Sequence, residues 1–166
     1  MYKIGDYVVK IPEGVCKIED MGHLDISGID KDKEYYLLVP ISDKSSKIYI
    51  PIDTAEGRIR SVVSKDEAIS FIKSIPKINK KDIPNERMRE QEYKTAILSG
   101  NHEMIVSVLK LIYSRNQKRM EQGKKITALD DRYFRQAENV LYSELSFVLH
   151  IPKEEMEQFI VDTIGA

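Results

Sequence analysis

Three histidines, one cysteine and a scatter of carboxylates are the side chains of this sequence that could do chemistry. His102-Glu103 opens like a zinc-protease helix, a motif that needs a second histidine one turn further on to set two imidazoles on one face. Position 106 is Val106, so that reading fails. A lone cysteine makes neither an intramolecular disulfide nor a Cys-rich zinc site. Cys16 lies in a strand-like run and reads as a small buried hydrophobe rather than a reactive thiol. Asp130-Asp131 fall at a predicted helix start, where carboxylates stabilise the dipole. There is no Gly-Lys-Ser/Thr phosphate cradle and no Gly-x-Ser-x-Gly elbow. These observations argue for a binding protein rather than an enzyme, and no cofactor or metal is expected.

The chemistry that remains is charge. With 26 Lys+Arg against 27 Asp+Glu the net charge is −1, which rules out a uniformly basic nucleic-acid coat but not a local basic face. Residues 77–135 hold 14 Lys+Arg against 8 Asp+Glu, a net of +6, whereas residues 136–166 hold 1 against 6, a net of −5. The basic residues fall as Arg87/Arg89/Lys94, Lys110/Arg115/Lys118/Arg119, Lys124/Lys125 and Arg132/Arg135. Helices that fold together could bring them onto one face. A solvated helical surface and a nucleic-acid contact are equally open readings of such clusters.

The elements that position these residues divide the chain in two. Up to about residue 62 the sequence has strand chemistry: Tyr7-Val8-Val9, Val15-Cys16-Lys17-Ile18, Tyr35 to Val39 and Lys47-Ile48-Tyr49-Ile50 are short and rich in β-branched or aromatic residues. Pro12-Glu13-Gly14, Ser27-Gly28 and the 42–46 segment separate them as turns. The spacing predicts a small, strongly bent sheet or barrel. Its open edge could pair with a partner's strand, or it could be self-contained.

Beyond residue 62 the period becomes helical. Ser64 and Glu67 form a capping box for a short helix burying Ala68, Ile69, Phe71 and Ile72. Pro76 should stop it by disfavouring helical geometry at Ile75. Residues 76–84 read as an exposed link between domains. A second helix is expected from about Asn85 to Leu98, and Gly100 and Asn101 mark a stop and a restart. The next helix sets Ile105, Val108, Leu109 and Ile112 on one face and ends before Gly123. Another starts at Thr127, with Leu129, Phe134, Ala137, Val140, Leu141, Leu145 and Val148 as its buried stripe. Pro152 suits the first turn of a last helix, in which Phe159, Ile160 and Ile164 close the core.

The 166 residues suffice for one ordinary domain or two small ones. The expected division is a β domain at 1–62, a short helix and linker at 63–84, and a helical domain at 85–166, giving an α+β class. No export signal and no apolar run long enough for a membrane span are visible, so a cytoplasmic protein is expected, as a monomer and without membrane contact.

The ordered set of segments resembles the CarD/CdnL family of bacterial transcription regulators over nearly the whole chain. Tyr2 to Val9, the Gly14 turn, Glu34 to Leu38 and Ile48-Tyr49-Ile50-Pro51 are similar to the family's strands. Gly57-Arg58-Ile59-Arg60 with Val62-Val63 is similar to the end of its β module. Tyr93 to Asn101 and Leu141 to Leu145 are similar to its helix boundary and its long late helix. The resemblance implies a Tudor-like domain that docks on the RNA polymerase β subunit by strand pairing. It also implies helices that contact promoter DNA nonspecifically near the upstream edge of the bubble and so modulate open-complex stability.

On that basis the polymerase-binding residues are expected to be Leu24, Ile26, Lys47, Ile48, Tyr49 and Ile50. The DNA contacts are expected among Arg87, Arg89, Lys94, Arg115, Lys118, Arg119, Lys124, Lys125 and Arg132. The alternative is a polymerase-docking adaptor whose helical domain binds another protein. Two departures stand out. Many family members place a wedging tryptophan where this chain has Glu86, and this chain has no tryptophan at all. Met88 is expected to pack in the core rather than replace it. Arginines that some members aim at polymerase correspond roughly to Leu24 and Tyr49 here.

Overall fold

The computed structural model describes residues 1–165. It divides into two compact units, Met1–Val62 and Val63–Ala166. The first is a five-stranded antiparallel sheet and the second is helical, so the chain is of the α+β class.

The sheet contains β1 (Tyr7–Lys10), β2 (Gly14–Gly22), β3 (Tyr35–Pro40), β4 (Ile48–Pro51) and β5 (Arg60–Ser61). Their spatial order is β4-β3-β2-β1-β5. Gly14, at φ 86°, makes the tight turn that lets β1 fold back onto β2. The β2–β3 register shifts between Ile18 and Asp20, a bulge that bends the long strand as a small curved sheet requires. One face buries Val8, Cys16, Ile18, Tyr36, Leu38 and Ile50, closed by Ala55 and Ile59 from the segment before β5. Burial pushes the Cys16 thiol up to about 11, which fits a packing role and not a nucleophile. The sheet is open, with β4 and β5 as its two edges.

The helical unit contains α1 (Lys65–Ser74), α2 (Arg89–Leu98), α3 (His102–Glu121), α4 (Ala128–Leu149) and α5 (Met156–Gly165). Both hydrogen bonds of the Ser64/Glu67 capping box are present, at 3.1 and 3.2 Å. Ile75 keeps helical dihedrals although a proline follows it. The helix ends instead by tightening into a 3₁₀ turn over Ile75–Lys77. Gly100, at φ 65°, terminates α2, and the Asn101 side chain accepts from the Met104 N–H at 3.0 Å to begin α3. The segment expected to start a helix at Asn85 opens as a 3₁₀ turn over Glu86–Met88, with α2 following.

α4 packs against each of the other four helices. Its buried residues are Tyr133, Ala137, Leu141, Leu145 and Val148, together with the charged Asp130 and Glu144. The expected Leu129, Phe134 and Val140 are only half-buried. In α1, Ala68 and Ile72 are buried while Ile69 and Phe71 are half-buried. Ile160 and the unforeseen Met156 are the buried residues of α5, with Phe159 and Ile164 half-buried.

The segment 76–84 is not a link between units, because α1 and everything after it belong to the helical unit. Lys110 donates to the carbonyls of Ile75 and Ile78 at 2.5 Å each, and the Lys81 N–H donates to the Ser107 carbonyl at 2.9 Å. The segment is therefore fastened along α3. Replacing Ser64 by alanine removes one side of the capping box, and the expected cost is about 1 kcal/mol of helical-unit stability. Urea titration followed by far-ultraviolet dichroism measures it.

Candidate polymerase-docking edge and basic surface

β4 pairs with β3 alone. The Ile52 N–H donates to the Glu34 carbonyl at 2.9 Å, which fixes the alternation of the ladder. In register with it, Ile50 opposite Tyr36 and Ile48 opposite Leu38 are the residues that bond β3. The N–H and C=O of Tyr49 consequently point away from the sheet. Pro51 has no N–H to offer, and its position at the outward-facing step is where an edge strand tolerates a proline.

The six expected docking residues separate by this geometry. Lys47 is exposed immediately before the strand, and Tyr49 is half-buried with its backbone free at the edge. Ile48 packs partly against the core. Ile50 is fully buried and its backbone bonds β3, so it builds the sheet and contributes nothing to an outer contact. Leu24 and Ile26 lie in the loop between β2 and β3 and are half-buried.

The nine expected DNA contacts separate as well. Asp130 sits in the first turn of α4 and has no solvent exposure. One of its oxygens accepts from the Tyr93 hydroxyl at 2.8 Å and faces Arg89 Nε at 3.4 Å. The other accepts from Arg115 Nε at 3.0 Å. Glu86 closes the arrangement from outside, accepting from Arg89 at 2.6 Å and from Arg115 at 3.1 Å. The hydrogen bond from Arg89, joined by the charge of Arg115, holds the Glu86 carboxyl below the usual carboxylate range. Burial, reinforced by Asp130, drives the Tyr93 phenol far above its ordinary value. Arg89 and Arg115 are thus committed internally. Asp130 is not a simple dipole partner: it is the buried anion on which α2, α3 and α4 converge.

Two more arginines have partners. Arg119 donates to the Lys125 carbonyl at 2.7 Å and braces the turn after α3. Arg132 pairs with Glu90 at 2.9 Å and lies 4.9 Å over the Tyr133 ring. Arg87, Lys94, Lys118, Lys124 and Lys125 are exposed and make no ion pair among the described residues. Arg87 lies just before α2 and Lys94 midway along it, Lys118 is near the end of α3, and Lys124 and Lys125 follow it. Met88, expected in the core, is 45% exposed between Arg87 and Arg89.

His102 bonds Glu144 at 2.7 Å, and Glu144 also accepts from the Val63 N–H at 3.1 Å. This places the histidine in a structural pair. The described residues contain no group of three His, Cys, Asp or Glu able to hold a metal, and no helix long and apolar enough to cross a membrane.

The comparisons agree with this two-part arrangement. A family model described as CarD-like/TRCF RID domain matches residues 2–63, and one described as CarD, C-terminal domain matches residues 69–161. These family domains mark a transcription-associated, RNA-polymerase-interacting protein, and the family is one of non-enzymatic transcription factors. The chain belongs to the CarD family. A search of curated proteins finds no match.

Asp130→Asn removes the buried charge that two half-buried guanidinium groups face. The expected cost is about 1.5–3 kcal/mol, the range for losing a charged hydrogen bond, because both arginines are partly solvated and keep Glu86 as a partner. A denaturant midpoint giving less than about 1 kcal/mol would contradict the central role assigned to Asp130.

Proposed function

We propose that this protein docks on the RNA polymerase β subunit by adding β4 to a strand of its partner. The helical unit then contacts promoter DNA nonspecifically near the upstream edge of the bubble and modulates open-complex stability. The observation that carries this reading is the outward-facing Tyr49 backbone on an unpaired edge, since strand addition draws its affinity from main-chain hydrogen bonds. It also explains how docking tolerates Leu24 and Tyr49 where some relatives have arginines, because those bonds do not depend on side-chain identity.

For the DNA contact, five exposed cations that make no ion pair among the described residues support a weak, salt-sensitive attraction to phosphates. Tethering to polymerase raises the local concentration of that weak binder, so few contacts suffice. Glu86 is engaged by two arginines and presents no apolar wedge. Met88, exposed beside Arg87, is the apolar group available at this place.

The second reading is an adaptor whose helical domain binds another protein. The internal commitment of Arg89, Arg115, Arg119 and Arg132 favours it, because it lowers the charge free to meet DNA.

Two experiments test the halves separately. Tyr49→Pro deletes an N–H that the sheet does not use. The full chain should keep its dichroism spectrum while capture of the β subunit falls roughly tenfold or more. Undiminished capture refutes edge pairing. The double variant Lys118→Glu/Lys125→Glu should alter the open-complex lifetime set by the native protein. It should also reduce the salt dependence of duplex binding by about two in log–log slope, about one per contact. A native protein that leaves open-complex lifetime unchanged in both directions removes the regulatory reading.

A further inference from the structure

A groove of about 280 Å³ opens on the helical unit between α3, α4 and α5. Its apolar lining comes from Leu109 on α3, Phe134 and Leu141 on α4, and Ile160 on α5. Tyr113, 59% exposed, stands at its lip. The polar part of the wall is acidic: Glu138 and Glu157 form no ion pair among the described residues. Burial, opposed by a hydrogen bond from Tyr142 and reinforced by the charge of Glu157, raises the Glu138 carboxyl above its ordinary range. Lys110 also lines the groove, with its ammonium held by the Ile75 and Ile78 carbonyls, and the charge of Arg135 acts on Glu138. None of the nine basic residues expected to meet DNA lines it.

We propose that this groove is a second docking site, which takes a large apolar side chain from a partner protein segment carrying a Lys or Arg about one helical turn away. The occupant follows from complementarity. Two carboxylates that lack an ion pair among the described residues, set beside an apolar floor, favour a cation next to a hydrophobe, and the Tyr113 ring offers that cation a π face. The same carboxylates repel nucleic-acid phosphates. The volume, at the lower end of ligand-pocket sizes, suits a side-chain anchor of the kind that dominates protein interfaces. The proposal does not rest on docking through β4.

The test is a nuclear magnetic resonance titration of the full-length chain with a helical peptide of about 14 residues. The peptide carries Leu and Phe one turn apart, flanked by Lys; a control peptide has Glu in place of each Lys. Saturable shifts centred on Leu109, Tyr113 and Ile160 are expected with the Lys peptide, and binding about tenfold weaker or less with the Glu peptide. Glu138→Lys/Glu157→Lys should invert that preference. Glu157→Lys alone, at an exposed position, should still cut it about threefold and serves if the double variant does not fold. Equal binding of both peptides overturns the proposal. So do shifts centred elsewhere, self-association of the chain through these residues, or the same shifts produced by a DNA duplex.

Discussion

An antiparallel sheet that does not close on itself has two edges, and each edge strand points main-chain groups away from the sheet. Here the β4-β3-β2-β1-β5 order leaves β4 as one of them. The rest of the first unit works to hold that strand in place. Ile50 and Ile48 face the core, Tyr36 and Leu38 oppose them across the ladder, and the bulge in β2 bends the surface beneath. The proposed docking through backbone is undemanding in sequence but strict in geometry, and register and curvature are what the sheet supplies.

The helical unit solves a different problem. Many of its charges are spent on architecture. Asp130 is buried where three helices meet, and the Tyr93 hydroxyl adds a hydrogen bond to the contacts it makes with Arg89 and Arg115. Lys110 and Arg119 do comparable work on carbonyls, one fastening the segment after α1 and the other bracing the turn after α3. A net charge counted along the chain therefore overstates what the surface shows.

Local signals were legible in the amino-acid order where a short-range rule decides them. The Ser64/Glu67 box, the Gly100–Asn101 punctuation and the strand runs all depend on residues within a few positions of one another. The sites were less legible because they depend on long-range partners. Nothing near Asp130 in sequence announces Tyr93 or Arg89. Arg115 reads as surface charge until α4 is laid beside it. Ile50 reads as part of a docking strand until the ladder shows which side of the strand it serves. Met88 looks apolar enough for a core that in fact closes without it.

Pro51 gives the β4 edge a built-in stop. A visiting strand can exchange hydrogen bonds with Tyr49, but one step further it meets a ring nitrogen with no proton. The ladder it can build is only a few rungs long. Such brevity would keep the proposed contact reversible, and it denies other copies of the chain the long, flat border along which sheets stack into filaments.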